Sequence, residues 1–242
     1  MAASENTEKF YPDIVVAGGL NAALSDAFAK IGSSLAATGL PDAVRFVAYG
    51  RIERGTRFSQ VYIAAEEQLF LFDFWRDGVI FANASTSEIT DAAKAIDQWV
   101  ADECTIDELQ AIPFVTLKDH AKAYDEGRET EERWRSYLNS VDQDFPELVD
   151  FVNAAAAAPQ LRQLFPYTSL NRFCFSRCTG YPFTYDTPYV HPQQDGSYNV
   201  YSRDDGLLGN GDASTAIDLV IAHLPPKCGP AVRGTAETMN AT

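Results

Sequence analysis

The 242-residue sequence predicts an α+β fold: two antiparallel sheet-and-helix halves bridged by acidic helices. Three observations carry that reading. Runs rich in β-branched and aromatic residues, each followed by an amphipathic helical stripe, occur twice, near residues 44–100 and 168–224. Between them lies a stretch with helical rather than alternating spacing. Over residues 101–150 it carries fourteen Asp or Glu against five Lys or Arg, a local charge of −9. The expected parts are 1–104 (helix, β-meander and helix), 105–160 (acidic helical bridge) and 161–242 (sheet and helix). No Gly/Ser-rich or Pro-rich run reads as a flexible linker, so one compact unit is expected.

In chain order, Leu20, Ala23, Leu24, Ala27, Phe28 and Ile31 follow the spacing of one helix face, and Gly32 stands just past its end. After the Pro41 break, the runs RFVAYGRI, SQVYIAA, QLFLFDFW and GVIFA predict a four-stranded antiparallel meander. Ile89, Ala92, Ala93, Ile96, Trp99 and Val100 form the stripe of the next helix, with Ser85 and Glu88 at capping-box spacing before it.

In the acidic stretch, Trp134, Tyr137, Leu138 and Val141 face one way and Glu131, Glu132, Arg133 and Arg135 face water. Pro146 opens a further helix whose alanine tail, Ala154 to Ala158, is ended by Pro159. Strand patterns return with LNRFCFS from Leu170, then TYDTPYV, then SYNVYS after a Gln-Asp-Gly turn. Gly209, Asn210 and Gly211 read as a turn, too loosely spaced for a phosphate-binding loop. The last helix, Thr215 to Leu224, takes Ser214 or Asp212 as its N-cap. The halves resemble one another in pattern only, and because strand-then-helix order is common in α+β folds a true duplication is the less favoured reading.

Composition bounds the function classes. With 46% hydrophobic and 12% aromatic residues the chain can bury a large core. A formal charge of −15 repels phosphate backbones and anionic lipid, so neither nucleic acid nor membrane is expected as a partner. The start MAASENTEKFYP lacks a signal peptide's basic and apolar regions, and the expected location is the cytoplasm. There, Cys104, Cys174, Cys178 and Cys228 should be reduced.

The segment Leu161 to Tyr185, LRQLFPYTSLNRFCFSRCTGYPFTY, concentrates Arg162, Arg172 and Arg177 among aromatic rings. In an extended strand Phe173, Phe175 and Arg177 share one face, and Arg172, Cys174 and Ser176 the other. Two readings follow. The arginines pair with carboxylates of the acidic helices, or Arg177, beside the turn Cys178-Thr179-Gly180, clamps a carboxylate or phosphate.

Cys178 is either a nucleophile beside a cation or a packing residue. Zinc finds little support, because Cys174 and Cys178 stand about 13 Å apart in a strand. No metal and no cofactor is expected. His191 is the histidine best placed as a base, His223 suits a helix C-terminus and His120 sits in the acidic stretch. Tyr167, Tyr181, Tyr185 and Tyr189 either line a peptide groove or pack the sheet.

LRQLFPYTSLNRFCFSRCTG and the later AHLPPKCGPAVRGT (Ala222 to Thr235), together with YPDIVVAGGLNAAL and AIPFVTL, resemble an uncharacterised bacterial family labelled as natural-product biosynthesis proteins. The resemblance implies a place in a secondary-metabolite cluster, some of which make ribosomally produced, modified peptides. The implied partners are a precursor peptide and kinase-like and lyase-like proteins that build thioether (lanthionine-type) rings. Two functions are then expected. In the first, the protein promotes addition of a cysteine thiol to a dehydrated residue. Arg177 would hold the enolate, His191 would move the proton and Tyr181 and Thr179 would position the substrate, which Arg172, Arg162, Tyr185, Tyr167 and Cys178 would contact. In the second, it is a non-catalytic adaptor that binds the peptide or steadies a partner enzyme.

Overall fold

The structure, a computed structural model, describes residues 5–38 and 49–240. Two units divide it, residues 1–122 and residues 123–242.

The first unit opens with three helices, α1 (Glu5–Phe10), α2 (Pro12–Ala17) and α3 (Leu20–Lys30). The expected meander follows as β1 (Tyr49–Arg54), β2 (Arg57–Ile63), β3 (Phe70–Arg76) and β4 (Val79–Thr86). Pro41 and residues 45–48 of the first predicted strand lie outside the described residues. Then come α4 (Ile89–Val100), α5 (Ile106–Gln110) and a fifth strand, β5 (Val115–Leu117), in the sheet order β1-β2-β3-β4-β5. Three residues are too few to show alternation, so β5 is invisible until Val115 and Leu117 pair with Ala84 and Ala82.

Leu24, Phe28, Ile52, Val61, Phe74, Ile96 and Trp99 close the core, drawn from one stripe of α3, one of α4 and alternate strand positions. The capping box expected at Ser85 is absent because β4 runs on through Thr86 and Glu88 itself caps α4 without a side-chain bond. A capping box does open α5. There Thr105 Oγ1 accepts from the Glu108 N–H at 3.2 Å, and the Glu108 carboxylate accepts from the Thr105 N–H at 2.8 Å.

After α6 (Ala121–Asp125), which straddles the division, the second unit continues with α7 (Glu129–Asp144), a 3₁₀ turn (Pro146–Leu148), α8 (Val149–Ala157) and α9 (Pro159–Arg162). Its sheet is β6 (Phe165–Ser169), β7 (Arg172–Ser176), β8 (Tyr189–Pro192), β9 (Tyr198–Tyr201) and β10 (Leu207–Gly211), in the order β10-β9-β8-β7-β6. Helices α10 (Ala213–Ala222) and α11 (Ala236–Asn240) end the described chain. The fold is α+β, with a sheet and its helices in each unit.

The stretch expected as an acidic bridge is shared out differently. Residues 115–117 complete the first sheet behind the short helix α5, whereas Trp134, Tyr137 and Val141 of α7 and Phe151 and Val152 of α8 bury against Phe173, Phe175, Val190 and Val200 of the second. Most of the charge of α7 lies on its solvated face, although Glu129 is buried against Arg233 and Arg133, expected to face water, packs over the Tyr137 ring; the apolar stripe decides where the helix goes. Leu138, expected on that stripe, is 39% exposed at its margin.

The second sheet begins before Leu170, because Leu170 and Asn171 both take positive φ (50° and 61°) and form the two-residue turn joining β6 to β7. From TYDTPYV only Tyr189 and Val190 enter a strand. The glycine-rich run read as a turn is β10. Its glycines serve close approach: a Cβ on Gly211 would lie 2.6 Å from Thr215 Cβ, and one on Gly209 2.7 Å from Leu219 Cδ1. Gly211→Ala is therefore expected to destabilise the second unit by about 1–2 kcal/mol, since Thr215 stands in the first turn of α10 and shifts only with its helix. Chemical denaturation checks this, and an unchanged midpoint would contradict the close packing.

Candidate functional site

Alternation along β7 sends Phe173 and Phe175, both fully buried, toward the helices and leaves Arg172, Cys174 and Ser176 on the opposite face. The segment Arg177 to Pro188 folds back over part of that face. Ser176 Oγ accepts from the Cys178 and Thr184 N–H groups at 3.0 and 3.1 Å and donates to the Cys178 carbonyl at 2.8 Å. Thr187 Oγ1 donates to the Phe175 carbonyl at 2.7 Å, and the Phe183 ring stacks on Tyr167 at 4.5 Å. Residues 232–236 pin the same segment from outside through backbone bonds to Arg177, Thr179, Gly180 and Pro182. The loop is therefore a fixed part of the site.

Where the loop leaves the sheet uncovered, a cleft of about 130 Å³ remains. Tyr167 and Cys174, directly opposite one another across β6 and β7, form its base, and Arg172, Tyr185, Thr187 and Tyr189 form its walls. Arg203 and Asp205 complete the rim. The Arg172 guanidinium lies 4.5 Å from the centre of the Tyr189 ring, which itself stacks on Tyr201 at 5.2 Å. Asp205 accepts a 2.6 Å hydrogen bond from the Tyr189 hydroxyl and stands 3.6 Å from Arg172. Arg203 makes no ion pair among the described residues. Two guanidinium groups against one carboxylate leave a local positive balance in a chain of charge −15.

Protonation follows from burial. Desolvation pushes the Cys174 thiol up to about 11 and raises the Tyr167 and Tyr185 hydroxyls. Desolvation, followed by the bond to Asp205, pushes Tyr189 up to about 12. Near neutral pH all four are protonated. The cleft thus presents hydroxyl and guanidinium donors, and its carboxylate is already engaged. Such a lining can hold an anionic or carbonyl-bearing side chain, and it offers no thiolate or phenolate to act as a base. A volume equal to about four waters fits one side chain.

The remaining sequence-derived residues lie elsewhere. Arg177 is bound to Asp186, and Arg162 packs its guanidinium over the Trp134 ring at 5.5 Å. The expected pairing of these arginines with the acidic helices is thus replaced: the carboxylates of Arg177 and Arg172 are Asp186 and Asp205, close by in the second sheet's own loops. Cys178 is fully buried, its sulfur near Ser176 Oγ and the Gly180 carbonyl, so the exposed-thiolate reading does not hold.

Thr179 is buried too, its hydroxyl without a partner, beside a separate depression at the start of α7. Tyr181 is exposed on the loop, edge-on to Phe183 at 5.9 Å. His191 has Nδ1 3.0 Å from the Pro192 carbonyl. Continuing the register in which Phe173 pairs with Val190 sets His191 opposite Arg172, at the other end of β7 from Ser176, about 13 Å along the strand, and Arg177 lies beyond that end in the loop. The structure does not bring Arg177 and His191 to one reacting centre.

Sequence reasoning missed Arg203, Asp205, Asp186 and Phe183. The turn Ser-Arg-Asp-Asp-Gly after β9 was the available signal for the first two. Among the described residues no group of three or more His, Cys, Asp or Glu is placed to hold a metal ion, and no helix is long and apolar enough to cross a membrane.

No curated protein and no solved structure matches the chain. Residues 128–235, wholly inside the second unit and less than half of the chain, match a family described as a family of unknown function (DUF6193).

Proposed function

We propose that this protein is a non-catalytic binding subunit in natural-product biosynthesis that holds a segment of a precursor peptide on its second sheet. The observation that carries the reading is the tyrosine- and arginine-lined cleft, which is sized for a side chain and lined with donors. The likeness of LRQLFPYTSLNRFCFSRCTG and AHLPPKCGPAVRGT to proteins of natural-product clusters supports the setting. Four free thiols support a reducing, cytoplasmic location. Thioether ring chemistry then belongs to the kinase-like and lyase-like partners, and this subunit supplies the grip on the peptide.

Rigid tyrosines give contact area at small entropic cost, and Arg172 and Arg203 select an acidic side chain. Exposed Tyr181 and Tyr185 extend the aromatic surface beyond the cleft.

The test is fluorescence anisotropy with two labelled synthetic octapeptides that differ only in a central Glu-Tyr or Lys-Tyr. The Glu-Tyr peptide is expected to bind and the Lys-Tyr peptide not to bind. Arg172→Ala should weaken binding about tenfold, near 1.4 kcal/mol. Equal affinity for both peptides, or no loss in Arg172→Ala, would sink the reading.

A further inference from the structure

We infer that the first unit carries a docking groove for a basic amphipathic segment of a partner protein. A cavity of about 650 Å³ opens between α2, α3, the first residues of α4 and the start of β3. Its floor is Ile14, Ala27 and Phe70, almost wholly covered by their neighbours, and the apolar surface open to a ligand comes from partly exposed Ala17, Ala23 and Ile89 and from Val16, 87% exposed at the lip. Around it stand Asp13 on α2, Asp26 on α3 and Glu88 at the start of α4, all exposed and none in an ion pair among the described residues. Lys30 is the single base in the lining among the described residues.

The groove is built before any partner arrives. Tyr11, at the foot of α2, is buried and its hydroxyl donates to the Glu67 carbonyl at 2.7 Å and accepts from the Leu69 N–H at 2.9 Å, fixing α2 against the β2–β3 connection. Gly18 and Gly19, with φ of 91° and 133°, then turn the chain so that α3 runs back beside α2.

Apolar surface ringed by three separated carboxylates asks for a ligand with apolar surface and several separated cations at once. An amphipathic helix whose apolar stripe is flanked by Lys or Arg supplies both, and the charge match sets orientation. Anionic lipid and nucleic acid are repelled by the same rim. This groove lies within the first unit, and its test uses other residues than those of the peptide cleft.

The experiment titrates the full chain into a labelled 14-residue Leu/Lys amphipathic helix and, separately, a Leu/Glu helix with the same apolar pattern. The Leu/Lys helix should bind with salt-dependent affinity and the Leu/Glu helix should not. Asp26→Asn combined with Glu88→Gln should weaken binding about tenfold and flatten its salt dependence. Ala23→Trp, which fills the groove, should abolish binding while the far-UV melt stays unchanged. If that variant does not fold, Val16→Glu at the exposed lip serves in its place.

Undiminished Leu/Lys binding in these variants would overturn the inference, because the attraction would then be to the overall negative charge. Equal competition by dodecylamine would make this a small-molecule site. Self-association that Val16→Glu removes would make the occupant a second copy of the chain. Either result overturns the inference as well.

Discussion

Phe173→Ala is expected to lower the stability of the second unit by about 3–5 kcal/mol, the cost of removing a large aromatic side chain from a packed core. Phe173 is fully buried and its ring meets four others: Trp134 at 6.1 Å, Tyr137 at 5.2 Å, Phe151 at 5.6 Å and Phe175 at 5.4 Å. The void cannot collapse easily. Trp134 is held by its Nε1–H donating to the Leu164 carbonyl at 2.9 Å, and Tyr137 by its hydroxyl donating to Thr168 at 3.1 Å. Edge-to-face contacts beyond area burial are lost along with the ring. Urea denaturation followed at Trp134, with Trp75 and Trp99 replaced by Phe so that the signal belongs to the second unit, measures the change. Leu138→Ala, on the margin of the same helix, should stay within about 0.5 kcal/mol. A loss below 1 kcal/mol for Phe173→Ala would contradict the packing.

The same ring shows what was legible in the chain. Its alternation with Cys174 and Phe175 announced a strand buried on one face, and the stripe through Trp134, Tyr137 and Val141 announced the helix that covers it. Both patterns have periods that a sequence displays directly. The helix of Leu20 to Lys30, the stripe of Ile89 to Val100 and the meander between them were legible for the same reason.

What escaped has no period. β5 is three residues long, and β10 is built on glycines chosen for contact with α10, which lowers its strand character. The acidic stretch was legible as helix and illegible in its attachment, because charge reports the solvated face and says nothing about which sheet the other face meets.

For the candidate site, residue type was more legible than grouping. The arginines and tyrosines singled out do gather in part: Arg172, Tyr167 and Tyr185 share one cleft with Tyr189. Arg203 and Asp205 reach it from the turn after β9, a placement that only the β8–β9 pairing of Tyr189 with Tyr201 creates. Arg177 drew attention for its neighbours Cys178 and Thr179, yet the strand ends before it and the loop returns Asp186 to its side. Proximity along the chain was a poor guide there, since an antiparallel return brings residues nine apart into contact.

That return leads to the last expected result. Arg177 and Asp186 are both half-buried, and beyond their mutual bond the Arg177 Nε–H and Asp186 Oδ1 are buried without partners. Removing either side strands the other charge where water reaches it poorly. Asp186→Leu and Arg177→Met should therefore each cost about 2–3 kcal/mol, less than for a fully enclosed pair because both retain some contact with solvent. The double variant removes both charges and their desolvation together. It should be less destabilised than the sum of the singles by about 1–2 kcal/mol, a coupling that a merely local packing loss would not show. Affinity for the Glu-Tyr octapeptide should survive in all three variants, although Arg172→Ala, which leaves this pair intact, loses it. The opposite pattern, Arg177→Met folding with undiminished stability but failing to bind, would make Arg177 a ligand contact and move the site from the outer cleft to the end of β7.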